Sequence, residues 1–124
     1  MKTTRIFLVF FLIPFLSFTE AKEPKPQILA CVGDSITQGV GAERGQSWPA
    51  QAQKTLGEKW QVHNFGLSGT TLMNSGNKPY QKSKQFKAAL SSNPDVVVIM
   101  LGTNDTKPTN WKNAIKTTKM TTVT

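Results

Sequence analysis

Apolar residues cluster in short runs, and each run ends at a glycine followed by small polar residues. The clearest runs cover residues 28–32 and 96–101, and a weaker one covers 60–65. Apolar runs of this length between turn residues are typical of β-strands. The first run contains almost no polar position, which predicts a strand that is buried on both faces.

The segments between these runs have the spacing of helices. The first helix is predicted to begin at Ser47, whose side chain can cap free amides, with Pro49 in its first turn and Gly57 as its stop. The second is predicted over residues 81–90. Their apolar stripes are Trp48, Ala52 and Leu56 in the first helix, and Phe86, Ala89 and Leu90 in the second.

Strands and helices therefore alternate, which predicts an α/β fold with a parallel sheet and right-handed crossovers. In such sheets the ligand site lies beyond the carboxyl ends of the strands. Each predicted strand is followed there by small polar residues, at 33–35, 66–69 and 102–105. We expect these three loops to meet at one edge of the sheet.

The loops offer the groups that acyl transfer needs. Ser35 supplies a hydroxyl and a backbone N–H, Gly69 an N–H that no side chain obstructs, and Asn104 a side-chain amide. Three donors around one hydroxyl would form an oxyanion hole, which stabilises the charge that develops in the transition state.

These residues also carry a family resemblance. Residues 33–37 (GDSIT), 64–69 (NFGLSG) and 102–105 (GTND) resemble, in order, the first three blocks of the GDSL or SGNH hydrolases. The resemblance spans about residues 28–111. It implies a flavodoxin-like three-layer α/β/α fold and serine esterase chemistry without a metal or other cofactor. Ser35 would be the nucleophile, and the N–H groups of Ser35 and Gly69 with the Asn104 side chain would form the oxyanion hole.

Two further segments suggest the substrate. Residues 78–80 and 102–111 resemble secreted bacterial members of the family that remove acetyl groups from carbohydrates. The expected partner is therefore a carbohydrate ester or a similar small ester.

The chain departs from the family pattern in its general base. The family places this base in an Asp-x-x-His block near the C-terminus of a longer domain, and no such block occurs in these 124 residues. The single histidine, His63, falls within the second predicted strand and is a poor substitute. We therefore expect residues 28–113 to be the N-terminal part of the domain, truncated after about three strands. Residues 114–124 are expected to form an atypical tail. We favour the hypothesis that they belong to a truncated or frame-shifted product over the alternative of a genuine short C-terminal helix.

The N-terminus predicts export. Residues 1–21 fit a secretory signal peptide, with Lys2 and Arg5 before an apolar stretch at 6–18 and small residues at the cleavage site. The apolar stretch is short for a bilayer span, so cleavage is favoured over a membrane anchor or a buried helix. The mature chain would be secreted or periplasmic, without stable membrane insertion, and would begin with a linker at 22–27. Residues 28–31 resemble the cleavage site of a bacterial lipoprotein, in which the cysteine would carry a lipid. Cys31 is nevertheless interpreted as a buried strand residue.

Composition excludes several other classes. One cysteine and one histidine exclude a disulfide framework and a zinc site built from these two residue types. The formal net charge is +8, yet the lysines are dispersed and only two arginines occur, so nucleic-acid binding is not expected. Three hypotheses remain, in order of preference: an esterase, a non-catalytic relic or carbohydrate-binding module that uses the same cleft, and a basic interaction protein. The oligomeric state stays open.

Overall fold

The computed structural model describes residues 24–112 and residue 115, and it contains three strands that alternate with helices. The strands are β1 (Gln27–Gly33), β2 (Trp60–Gly66) and β3 (Val96–Met100). The helices are α1 (Ser35–Gln38), α2 (Trp48–Leu56) and α3 (Lys84–Ser91), with 3-10 turns at Tyr80–Lys82 and Thr103–Thr106. The predicted signal peptide, 1–21, lies outside the described residues, as does the predicted tail, 114–124, apart from residue 115.

The three strands form one parallel sheet in the order β2-β1-β3. Gly33 at the end of β1 lies beside Gly66 of β2 and Met100 of β3, so the three strands end at the same level. The middle of β1 is buried on both faces, as its apolar run predicts. The α/β fold with a parallel sheet is thus confirmed.

Helices cover opposite faces of this sheet. Val32 and Phe65, which are neighbours in the register, pack with Ala89 of α3. Val62 and Asn64 point to the other face, since side chains alternate along a strand, and there they adjoin Pro49 of α2.

Strand ends differ from the predictions by one residue. β1 begins at Gln27 and not at Ile28, because the Gln27 N–H donates to the Lys59 carbonyl at 2.9 Å. Gln27, the last residue of the predicted linker at 22–27, therefore belongs to β1. β3 ends at Met100 and not at Leu101, because β1 ends at Gly33 and offers no further partner.

The predicted helix at 81–90 is wrong at its start. A 3-10 turn occupies Tyr80–Lys82, and α3 begins only at Lys84 because the Ser83 hydroxyl oxygen accepts the Phe86 N–H at 3.0 Å and caps the helix. Its inner face is also narrower than predicted. Ala89 is buried, whereas Leu90 is 65% exposed.

Two local features of the helices differ as well. Ser47 occupies the cap position of α2, but its side chain makes no cap hydrogen bond, so that part of the prediction is wrong. The short helix α1, which directly follows β1, was not predicted, since four residues are too few to show a helical period. No helix among the described residues has the length and hydropathy of a membrane span.

Candidate active site

Ser35 is the first residue of α1 and lies directly beyond the carboxyl end of β1. The turn into the helix is held by Asp34, whose Oδ1 accepts the Ile36 N–H at 3.0 Å. The turn also requires glycine at position 33, because a Cβ there would collide with the Thr37 side chain and the Met100 carbonyl. β1 and its tight exit thus present the Ser35 hydroxyl, which is half-buried, at the edge of the sheet.

The loops after the three strands meet through the Asn104 side chain. Its Nδ2 donates to the Thr70 carbonyl at 3.0 Å and to Asp34 Oδ2 at 3.3 Å. Asp34 neighbours Ser35, and Thr70 neighbours Gly69, so this network links the three loops that carry the predicted site residues. Asp34, Thr70 and Asn104 are all buried. The convergence that the strand order predicted is therefore present, while the catalytic roles of Ser35, Gly69 and Asn104 stay predictions.

The Asn104 amide is already engaged within the protein. An amide group has two protons, and here both are donated, one to Thr70 and one to Asp34. The contact with Asp34 is the longer of the two and lies beyond the usual 2.7–3.2 Å range for N–H···O bonds. An ester oxygen that gained negative charge beside Ser35 would compete for this proton.

Gly69 lies in a loop that is fastened to both α1 and the following segment. The Ser68 N–H donates to Gln38 Oε1 at 2.7 Å, and Lys78 Nζ donates to the Ser68 carbonyl at 2.8 Å. Gly69 has a φ of +78°, a conformation that favours glycine. Its backbone can thus turn at this position without a side chain in the way.

Two buried residues that sequence reasoning did not single out support this arrangement. The Asp105 carboxylate accepts the N–H groups of Leu72 and Met73 at 2.9 and 2.7 Å. The Asn110 amide donates to the Asn104 carbonyl at 2.8 Å, and its oxygen accepts the Asn77 N–H at 2.8 Å. Asp105 could have been suspected from its place in the GTND block, whereas Asn110 lies in the family-like segment 102–111 but in no motif that indicates its contacts.

Three other reactive side chains take no part in this hydrogen-bond network. His63 is exposed on β2, three residues before the strand ends, and stacks on Phe65 with 5.9 Å between ring centroids. The Cys31 side chain is fully buried in β1, and desolvation raises the pKa of its thiol to about 11. Tyr80 is also buried, desolvation raises its pKa to about 12, and its hydroxyl donates to the Phe65 carbonyl at 2.6 Å. Both groups are therefore neutral at physiological pH.

Comparison with curated proteins gives a close but partial match. The chain is 49% identical over 86 residues to an acetylxylan esterase of Xylanibacter ruminicola. This alignment covers 68% of the present chain. The same alignment covers 18% of the relative, so the chain spans less than a fifth of the length of that curated protein.

Solved structures show the same fold. The esterase AlinE4, described as an SGNH-hydrolase family esterase, superposes with a TM-score of 0.52 at 23% identity, over 81% of this chain and 57% of the other. A mutant of AlinE4 superposes with a TM-score of 0.51 over the same shares. At this level of identity the likeness concerns the fold alone.

A family model supplies the remaining comparison. That of the GDSL-like lipase/acylhydrolase family matches residues 31–123, which include β1, β2, β3 and all three polar loops. Three-quarters of the sequence is covered, and the matched segment carries the Ser35 turn and the Asn104 loop in the order found here. The chain therefore belongs to the GDSL-like lipase/acylhydrolase family.

Proposed function

We propose that this chain carries the nucleophile and the oxyanion donors of a serine esterase that removes acetyl groups from a carbohydrate. The observation that carries the proposal is the position of Ser35. It starts a helix at the carboxyl edge of the sheet, beside the network that joins Asp34, Thr70 and Asn104. Parallel α/β folds bind their ligands at this edge.

The reaction would proceed by acyl transfer. The Ser35 oxygen attacks the ester carbonyl carbon, and its proton passes to a base as the C–O bond forms. The carbonyl oxygen becomes negatively charged and accepts hydrogen bonds from the N–H groups of Ser35 and Gly69 and from Asn104. The intermediate then collapses, the bond to the sugar oxygen breaks, and that oxygen leaves as a free hydroxyl with the proton from the base. Water hydrolyses the acetyl-serine ester, which releases acetate and regenerates the serine. Removal of one such donor typically lowers the rate about 100-fold or more.

The base is the group that the described residues do not supply. A serine hydroxyl is a weak nucleophile until a neighbouring base accepts its proton. Among the described residues, His63 is the only histidine, and it lies on β2 away from the strand's carboxyl end. We therefore expect this chain alone to be a feeble esterase and to respond to an added base.

The substrate class rests on the acetylxylan esterase relative, with which the chain shares 49% identity over 86 residues. An acetylated xylan-type polysaccharide is the substrate we favour. Such a polymer occurs outside the cell, which agrees with the export predicted from residues 1–21. We propose that the protein is secreted or periplasmic. An exported protein whose N-terminal residue is Lys22, as determined by mass spectrometry, would support this.

The test uses a base supplied from solution. The 124-residue chain is treated with a fluorophosphonate probe with and without imidazole, and the modified peptide is identified by mass spectrometry. Without imidazole, we expect slow modification of Ser35. Imidazole should accelerate this modification by about 10-fold or more, and the Ser35→Ala variant should show no modification at this position. Ser47→Ala, which removes a half-buried serine at the start of α2, serves as the matched control and should behave as the parent chain. Modification that is confined to other serines, or that is equal in Ser35→Ala, would contradict the proposal.

A further inference from the structure

A cavity lies next to the loop that carries Gly69. It has a volume of about 260 Å³ and is lined by both polar and apolar groups. Three lysines contribute to its wall, namely Lys78, Lys82 and Lys84, and its lining contains no acidic residue. In the sequence these lysines looked like part of a dispersed, solvated surface. The fold gathers them because a 3-10 turn and the start of α3 bring positions 78, 82 and 84 to one opening.

The cavity is joined directly to the candidate active site. Lys78 Nζ donates to the Ser68 carbonyl at 2.8 Å, and its Cδ lies 3.9 Å from the position that a Cβ on Gly69 would occupy. Ser68 in turn binds Gln38 of α1, the helix that begins at Ser35. These contacts link Lys78 to the helix that begins at Ser35, so we expect one extended carbohydrate to contact both residues.

The lining fits one type of ligand. An ammonium group has three N–H donors, and Lys78 uses one of them on Ser68, so two remain for a ligand. The Ser83 hydroxyl accepts the Phe86 N–H and keeps its own proton to donate. Leu67 and Pro79 add apolar surface, against which the C–H face of a sugar ring can pack. Cations, hydroxyl donors and a small apolar surface together suit a sugar that carries a carboxylate.

We propose that this cavity is a subsite for an anionic unit, of the uronic acid type, on the same carbohydrate that carries the ester. The inference rests on the proposed function, since it assumes that Ser35 receives a carbohydrate ester. It adds to that function a preference for acidic over neutral carbohydrates. The net charge of +8 acts in the same direction, but only the cavity gives the preference a position.

The experiment measures binding and not turnover. The 124-residue chain is titrated by NMR or calorimetry with a neutral xylo-oligosaccharide, and with one of equal length that bears a single glucuronic acid. We expect roughly 5- to 10-fold tighter binding of the acidic oligosaccharide at low salt, since exposed ion pairs contribute modestly one by one. The preference should shrink as salt is added.

Variants locate the effect. The double variant Lys82→Gln/Lys84→Gln should lose the preference, whereas Lys59→Gln/Lys87→Gln, with the same change in charge at exposed lysines outside the cavity, should keep it. All four side chains are exposed, so little effect on folding is expected. Ser35→Ala should also keep the preference, which separates this inference from the proposed function.

Three outcomes would overturn the subsite. Equal binding of the two oligosaccharides is one, and an equal loss in both double variants is another, because diffuse charge would then explain the preference. The third outcome is measured with inorganic phosphate as the ligand. Phosphate that binds in a Lys82- and Lys84-dependent manner, while the acidic oligosaccharide shows no advantage, would indicate a site for free anions and not for the substrate.

Discussion

At the scale of single residues, Asn104 combines two roles that are often separate. Its amide is buried and tied to Thr70 and Asp34, so it holds two loops together. The same amide is the predicted third donor of the oxyanion hole. A substitution at this position should therefore affect both stability and the reaction of Ser35.

We expect Asn104→Ala to slow imidazole-assisted phosphonylation of Ser35 about 100-fold, because one oxyanion donor is lost. The free energy of unfolding should also fall by about 1–3 kcal/mol, since the Thr70 carbonyl and Asp34 lose a buried partner. Labelling kinetics and chemical denaturation measure the two effects. Asn77→Ala is a suitable control, because its exposed side chain has no assigned role. Normal labelling per folded molecule would make Asn104 purely structural.

Cys31 offers a second test at this scale. Its burial raises the thiol pKa from 9.0 to about 11, and only the thiolate reacts readily. At pH 8 the folded chain should fail to react with Ellman's reagent, whereas the chain unfolded in denaturant should release one equivalent.

The same shift has a definite sign in stability. The folded state holds the thiol proton more tightly than the unfolded state, so the contribution of Cys31 is complete below pH 9 and declines as the pH rises toward 11. Cys31→Ala should weaken that decline. Rapid thiol reaction in the folded protein, or a lipid attached to Cys31 in the exported protein, would refute the buried-strand assignment.

At the scale of elements, the decisive contact is the approach of β2 to α1. A Cβ on Gly66 would collide with the backbone of Gln38, and no rotation of a side chain could relieve that clash. Asn64 reinforces the contact, since its Nδ2 donates to the Thr37 carbonyl at 2.8 Å and its Oδ1 accepts the Gly66 N–H at 2.9 Å. The glycine of the second polar loop thus sets the distance between the sheet and the helix that carries Ser35.

Gly66→Ala should therefore be much more destabilising than Gly57→Ala. Gly57 has a φ of +70° with open space around its Cβ position, so alanine there meets only backbone strain, roughly 1–2 kcal/mol. At Gly66 the backbone of β2 or α1 must move, which we expect to cost several kcal/mol or to prevent folding. Denaturation midpoints compare the two variants, and equal effects would show that the close approach is unimportant.

At the scale of the whole molecule, β3 stands out. It pairs with β1 on one side, and among the described residues no strand pairs with its other side. All five of its side chains, Val96 to Met100, are between 39% and 63% exposed. An apolar cavity of about 520 Å³ also opens between α3 and β3, lined in part by Val97, Ile99 and Leu90. A long apolar edge of this kind promotes association between chains.

We expect the 124-residue chain to self-associate through β3, and Ile99→Lys to reduce the association. Ile99 is 63% exposed, so a lysine there can reach water while it places a charge on the strand edge. Sedimentation velocity over a range of concentrations measures the effect. Val40→Lys is the matched control, because Val40 is 64% exposed but lies outside the sheet. Equal reduction by both variants would show that net charge, and not the β3 edge, controls association.

The sequence by itself determined the strands, the parallel α/β arrangement and the meeting of the three polar loops. Apolar runs identify buried strands wherever the environment is uniformly apolar, as in the middle of β1. Once the strands are parallel, their carboxyl ends must share one edge, and the loops that carry Ser35, Gly69 and Asn104 follow. The family could be named for the same reason, because its blocks are local and ordered along the chain.

Only the tertiary structure decided which partners the polar side chains choose. Asn104 binds groups that lie 34 and 70 positions away, and Asp105 and Asn110 bind backbone N–H groups more than 30 positions away. No local pattern encodes such pairs, since they depend on how two loops pack. The sequence also could not predict which apolar side chains are buried. Leu90 has the spacing of a core residue, yet exposure depends on whether another element covers it, and in the described part of the chain none does.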